Sequence, residues 1–359
     1  MPVSFYKRTI DLGLKNHYTN AMVALTKRCN AACDFCYVVD DYTEDLPTKS
    51  IFEILDKLAD AGIINLSLTG GEPFIRKDIL EIISYAIKKD FWKINIFTNG
   101  SLIQDNHIRF LIENSLHLGV IQFSAFSHLS EIHDMYMGIP GSLNKIIELS
   151  TKLKNASIYV FIAFNVLDIN YTMIRETISF FRELGLAVGL GYQKIITTDA
   201  HDKKSQNMEL LKKVTSFDFY CDMLNYYNEK SLLYEKERFS KGNSDEIFSG
   251  DKYLCDGIIT TIDIDSQGNI RPCVSFNDLI IGNIFEEGTL YELVQKSDEL
   301  KKIKSLRMSD LHLCKTCKHK YSCNVCIGMI HSETGYLDKP SEQFCNYAKA
   351  VEEFPVNHS

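Results

Sequence analysis

The chain reads as an α/β protein: a larger domain on six parallel strands, followed by a small cysteine-rich domain. Two observations carry this reading. Apolar, β-rich runs alternate with stretches of helical periodicity from residue 21 to residue 194, and seven of the eleven cysteines fall between 255 and 345. With 359 residues there is chain enough for one large core and a second, smaller unit.

In order, "AMVALT" (21–26) reads as a strand and "KSIFEILDKLADAG" (49–62) as an amphipathic helix closed by glycine. "IINLSLTGG" (63–71) and "KDILEIISYAIKK" (77–89) form the second pair, "KINIFTNG" (93–100) and "NHIRFLIEN" (106–114) the third. "VIQFSAFS" (120–127) precedes a helix near 142–154, and "SIYVFIAFNV" (157–166) precedes one over 172–185. "AVGLGYQK" (187–194) gives the sixth strand. Strands that each lead into a helical or polar segment imply parallel pairing with right-handed crossovers. A curved, open six-strand barrel and a doubly wound flat sheet both fit. Either gathers ligands at the carboxyl ends of its strands. Residues 207–238 look helical and 240–251 read as a linker. The expected division is a lead-in over 1–20, a core over 21–204, a helical linker over 205–251 and a cysteine-rich domain over 252–359.

A balance of 39 basic against 47 acidic side chains, net −8, argues against nucleic acid as the main partner, because phosphate binding needs a basic footprint. The amino terminus has no apolar signal core, and the longest apolar stretch, "SIYVFIAFNVL", is too short to span a bilayer. The chain is therefore expected in the cytoplasm, off the membrane, where thiols stay reduced. Eleven cysteines there point to metal or cluster ligation.

Three cysteines, Cys29, Cys33 and Cys36, follow the first strand at spacing C-x3-C-x2-C. Such a loop wraps one face of an iron–sulfur cube and leaves one iron open; a structural zinc site is the competing reading. After the second strand comes Gly70-Gly71-Glu72-Pro73. Two glycines let a backbone approach a ligand closely, Glu72 offers a carboxylate to a cationic group, and Pro73 fixes the turn.

These motifs, in this order on adjacent strands, resemble the radical S-adenosylmethionine enzymes. The resemblance covers residues of about 20 to 200 and implies a partial (β/α)6 barrel. It implies that Cys29, Cys33 and Cys36 hold a [4Fe–4S] cluster whose open iron takes S-adenosylmethionine, with Phe35 flanking the adenine. Gly70, Gly71, Glu72 and Pro73 would contact the cofactor, Glu72 accepting from its ammonium. Ser124, in "FSAFS", and Asn165 are further cofactor contacts, and Thr98 and Asn99 face the same site. "HDMYMGIPGSLNK" (133–145) resembles the family's His-Asp segment with Met137 where arginine is usual, and His133 and Asp134 read there as local capping groups.

The later cysteines read Cys255-x12-Gly268-x4-Cys273, then Cys314-x2-Cys317-x5-Cys323-x2-Cys326, then Cys345. This resembles the SPASM domain, which binds two auxiliary [4Fe–4S] clusters; the family has three residues where this chain has two before Cys326. Position by position, Cys255, Cys273 and Cys326 would hold one cluster and Cys314, Cys317, Cys323 and Cys345 the other. Two cubes call for eight ligands and the pattern offers seven, which leaves an open iron, a non-cysteine ligand or Cys221 to complete the first. A zinc ribbon on "CKTCKHKYSCNVC" is the competing reading. Cys221 is either a small core residue or a hydrogen-atom donor.

The resemblance implies that one electron splits S-adenosylmethionine into methionine and a 5′-deoxyadenosyl radical, which abstracts hydrogen from the substrate. The expected activity is maturation of a ribosomal peptide by cross-linking. The alternatives are oxidation of a protein side chain as in anaerobic sulfatase maturases, peptide epimerisation, or oxidation of a small molecule such as a tetrapyrrole. About twenty residues precede the first strand, too few for a winged-helix peptide-binding module, so a separate peptide-recognition protein or the barrel itself is expected to bind a leader. An electron donor of flavodoxin or ferredoxin type completes the expected partners.

Overall fold

A computed structural model describes residues 18–33, 36, 38, 43–192, 216–227, 255, 257–276, 278–307, 310–320, 323 and 326–353. Six strands run in sequence order: β1 (Asn20–Ala24), β2 (Asn65–Thr69), β3 (Lys93–Thr98), β4 (Leu118–Ala125), β5 (Tyr159–Val166) and β6 (Ala187–Tyr192). Every neighbouring pair among them is parallel. Between them lie α1 (Thr48–Asp60), α2 (Ile79–Lys88), α3 (Asp105–Glu113), α4 (Ser130–Met137), α5 (Ser142–Asn155) and α6 (Ile174–Glu183). The α4 helix was not expected; its eight residues carry a weak apolar stripe and end at Gly138 in the left-handed region, φ 66°.

The strand order settles the choice between barrel and flat sheet. A doubly wound sheet reverses direction partway, whereas here each strand sits beside its sequence neighbours from β6 to β1. A singly wound sheet keeps its helices on one face. Val23, Leu66, Leu68, Ile94, Ile96, Ile121 and Ile162 on alternate strand positions share one apolar cluster with Ile51, Ile54 and Leu55 of α1, Ile82 and Ile83 of α2 and Ile146 and Leu149 of α5. The other face carries Ser67, Asn95, Gln122, Ser124, Ala163 and Asn165, all half-buried. A parallel sheet covered on both sides is apolar on both, so this alternation marks a concave open inner face, as in a partial barrel.

Beyond the expected boundary, β7 (Thr261–Ile264) pairs parallel with β1, Asn20 opposite Thr261, and β8 (Asn269–Arg271) and β9 (Gly282–Asn283) follow antiparallel. Among the described residues the core sheet thus has nine strands, and Ile262, Ile264, Ile270 and Ile284 belong to the same apolar cluster as the barrel. Lys57 of α1 donates to the carbonyls of Ile284 and Glu286 at 2.7 and 2.8 Å. The cysteine-rich part therefore extends the barrel's edge, which would otherwise present unpaired backbone at β1. In the linker region α7 (Phe217–Tyr227) packs on the carboxy-terminal helix α13 (Glu342–Glu353), Tyr220 against Tyr347 at 5.3 Å between ring centres. Shorter helices α8 (Gly257–Thr260), α9 (Leu290–Lys296), α10 (Asp298–Ser305), α11 (His312–Lys315) and α12 (Ile327–Thr334) lie between them. Among the described residues no helix is long and apolar enough to cross a membrane.

Candidate active site and cluster ligands

At the carboxyl ends of β2 to β5 lies a cavity of ≈ 350 Å³, within the roughly 300–1,000 Å³ usual for small-molecule sites. Cys29, Cys33 and Cys36 line it, with Gly70, Gly71, Thr98, Asn99, Ser124 and Asn165. The described lining holds no Lys, Arg, His, Asp or Glu. Phe97, Phe126 and Met137 supply its apolar wall and Gln122 a further amide.

The cysteine loop is fastened where it leaves and rejoins the barrel. Gly71 N–H donates to the Thr26 carbonyl at 2.8 Å and Glu72 N–H to that of Arg28 at 2.9 Å. The two glycines are needed for this approach: a Cβ on Gly71 would stand 2.2 Å from the Arg28 carbonyl oxygen, and one on Gly70, at φ +147°, 2.5 Å from that of Thr26. The close contact expected with a ligand is thus also a contact with the backbone just before Cys29. Arg76, 5% exposed, donates to the carbonyls of Leu25 at 3.1 Å and Leu46 at 3.0 Å, one at each end of the loop, and forms a bidentate pair with Asp78. Arg28 pairs with Asp45 across the same ends.

Glu72 does not line the cavity. Fully buried, it accepts from Phe74 N–H at 3.0 Å, the Thr98 hydroxyl at 2.7 Å and Asn99 N–H at 2.7 Å. Burial raises its pKa. In this position Glu72 fixes Thr98 and Asn99 from behind. Pro73, buried behind it in a short turn, is also off the cavity. Asn99 in turn donates to Asn30 at 3.0 Å and lies 3.9 Å from Cys29 Sγ. Phe35 lies outside the described residues.

Of two further positioning groups, Asn170 had no signal in the sequence, and His133, expected as a capping group, holds the end of β4 instead. Asn170, fully buried, donates to the carbonyls of Phe126 at 2.7 Å and Asn165 at 2.9 Å and accepts from Leu167 N–H at 2.6 Å. It bridges β4 and β5 just beyond Ala125 and Phe164, the last pair of their ladder. His133 Nδ1 accepts from Phe126 N–H at 3.3 Å, so its proton sits on Nε2, which has no partner. Burial lowers its pKa to about 4. Asp134 takes the capping role expected: it accepts from Gly141 N–H, the Ser142 hydroxyl and Leu143 N–H at the start of α5. Met137 closes the circuit, its carbonyl accepting from Ala32 at 3.1 Å and its sulfur lying 3.9 Å from Cys33 Sγ.

The remaining thiols fall into two neighbourhoods. Burial pushes Cys273 up to about 11, with Cys326 and Cys255 adding to it. Burial pushes Cys323 up to about 12, with Cys345, Cys314 and Cys317 adding. The two neighbourhoods have the same members as the two expected ligand sets. Cys29 is likewise raised, by burial first, with Glu72 and Cys36 contributing. Such thiols keep their protons until a metal displaces them. Among the described residues no three His, Cys, Asp or Glu side chains close on a single ion; tetrahedral zinc would draw its sulfurs to about 2.3 Å from one point. Cys221 joins neither set: it lies against the apolar cluster of Tyr220, Met223 and Ala350 and is not among the residues that line the cavity.

Comparison with known proteins agrees. The radical SAM superfamily profile matches residues 23–181, and that of an iron–sulfur cluster-binding domain, SPASM, matches 255–324. The antilisterial bacteriocin subtilosin biosynthesis protein AlbA of Bacillus subtilis is 27% identical over 346 residues, 92% of this chain and 71% of its own. An AdoMet-dependent heme synthase of Oleidesulfovibrio alaskensis is 23% identical over 90% of this chain and 86% of its own. Streptococcus suis SuiB bound to precursor peptide SuiA superposes with a TM-score of 0.64 at 19% identity, covering 98% of this chain and 79% of that one.

Proposed function

Because the chain belongs to the radical S-adenosylmethionine superfamily and carries a SPASM iron–sulfur domain, we propose that it matures a ribosomally made peptide by forming a cross-link. The observation that carries this reading is the union, on one open cavity, of three thiols and the polar inner ends of β3, β4 and β5. Its likeness over most of its length to a bacteriocin biosynthesis protein, and in fold to a protein solved with a precursor peptide, supports a peptide substrate.

In this reading Cys29, Cys33 and Cys36 hold a [4Fe–4S] cluster by three corners, and the two later cysteine sets hold two auxiliary clusters. Bound together, cluster and S-adenosylmethionine supply one-electron cleavage to methionine and the hydrogen-abstracting 5′-deoxyadenosyl group. The chain's own residues bind and orient. Asn99, set by Glu72, and Ser124 and Asn165, set by the Asn170 bridge, offer neutral hydrogen-bonding groups to a zwitterionic ligand. Phe97, Phe126 and Met137 keep water from the reacting end. A flavodoxin- or ferredoxin-type electron donor and a separate peptide-recognition protein complete the proposed system, which operates in the cytoplasm.

Oxidation of a small molecule such as a tetrapyrrole is the second reading, favoured by the likeness to a heme synthase. Deuterium-labelled substrates distinguish the two. Label passing from a candidate peptide into 5′-deoxyadenosine supports the first; passage only from a tetrapyrrole transfers the assignment to the second.

A further inference from the structure

The set Cys255, Cys273 and Cys326 is one ligand short of a closed cube, and the β7–β8 hairpin beside it holds an unsatisfied carboxylate. Asp263 is 1% exposed. Its Oδ2 accepts from Arg271 Nε, and the Arg271 Nη2 lies 2.6 Å from the same oxygen. Its Oδ1, equally buried, has no hydrogen-bond partner. A buried carboxylate oxygen left unpaired is costly, and such a group marks strain, a chemical role, or a bound water or ion.

The hairpin register says where that oxygen sits. Asp263 is opposite Arg271, the last residue of β8, and Cys273 follows two residues on, in the bend that leaves the strand. Backbones across such a pair are roughly 5.5 Å apart and two residues span at most about 7 Å, which keeps the two side chains within reach of a shared multi-metal group. The Asp263 charge is felt at the Cys273 thiol together with those of Cys326 and Cys255. Carboxylate oxygen ligates iron in non-haem sites, and here it would take a corner that thiolate usually fills. Cys221, the other candidate in the sequence, sits in the apolar seam between α7 and α13.

We propose that Asp263 Oδ1 is the fourth protein ligand of the auxiliary iron–sulfur cluster held by Cys255, Cys273 and Cys326, with Arg271 fixing the carboxylate through Oδ2. This rests on the reading that these cysteines carry a cluster. A closed shell assigns that cluster to electron transfer and leaves no open iron on it for the substrate.

The test uses the full chain with Cys29, Cys33 and Cys36 replaced by alanine, reconstituted anaerobically, so that only auxiliary clusters give a signal. Its reduced electron paramagnetic resonance spectrum should not change when 2-mercaptoethanol is added. In Asp263→Asn the spectrum should shift and shift again with the thiol, and Asp263→Cys should abolish the thiol response. An Asp263→Asn spectrum and thiol response equal to the parent's would overturn the proposal. So would a thiol response in the parent, which decides the matter even if the variants fail to fold. Replacing Cys255, Cys273 and Cys326 by alanine in the same background should remove about 4 irons per chain. No loss there would remove the cluster reading itself, and the proposal with it.

Discussion

Replacing Gly71 with alanine should detach the cysteine loop from the barrel. The new Cβ would lie 2.2 Å from the Arg28 carbonyl oxygen, 2.6 Å from its carbon and 2.7 Å from the Lys27 oxygen, all backbone. Cβ atoms do not approach closer than 3.0 Å, so the two chains must part by about 0.8 Å. That breaks the bonds from Gly71 to Thr26 and from Glu72 to Arg28, two bonds of 2.8 and 2.9 Å. Each lost bond costs about 1 kcal/mol net and up to about 3 if a buried group stays unpaired, giving roughly 2–6 kcal/mol in all. Cys29 follows Arg28 directly, so the loss falls on the ligand loop. Urea unfolding of the iron-free protein reads the energy, and iron content after reconstitution reads the loop. Gly141→Ala is the control: its φ is +80° but nothing lies within 4 Å, so it should cost about 1 kcal/mol and no iron. Full iron content and less than about 1 kcal/mol of destabilisation in Gly71→Ala would refute the argument.

Asn170→Ala removes three buried hydrogen bonds and should cost about 2–4 kcal/mol, with weaker S-adenosylmethionine binding because Phe126 and Asn165 lose their anchor; calorimetry checks both. Asp134→Ala should cost about 1–2 kcal/mol by uncapping α5 while leaving iron content unchanged, measured by urea unfolding and iron assay. His133 titrates near 4 when folded and 6.5 when unfolded, so the unfolded chain binds the proton first as pH falls. Stability should therefore drop between pH 6.5 and 4, by roughly 3 kcal/mol from this residue, and hold steady above 6.5. In His133→Gln the iron-free protein should lose that part of the slope.

The barrel was legible because each strand alternates apolar and polar positions and each helix repeats its apolar residues at three and four. Ile51, Ile54, Leu55 and Leu58 face the core as their spacing predicts. β7, β8 and β9 were not legible: four, three and two residues long, they are too short to show a period, and what recruits them is the free edge of β1. The cysteine-rich domain was legible through its resemblance to the SPASM pattern, and the profile match over 255–324 agrees with it. Glu72 shows the limit of that kind of reading: the sequence marks a carboxylate beside the site but does not show which way it faces. Asn170 and Arg76 do their work through backbone carbonyls distant in sequence, Phe126, Leu25 and Leu46, which no local pattern encodes.

The central claim is that the Cys29, Cys33 and Cys36 cavity holds a reactive cube beside two auxiliary ones. Counting iron and acid-labile sulfide in anaerobically reconstituted protein tests it most directly. The account predicts about 12 irons per chain, falling to about 8 when those three cysteines are replaced by alanine, with cleavage of S-adenosylmethionine abolished. An unchanged iron count in the variant, or about 4 irons with bound zinc in the wild type, would contradict it.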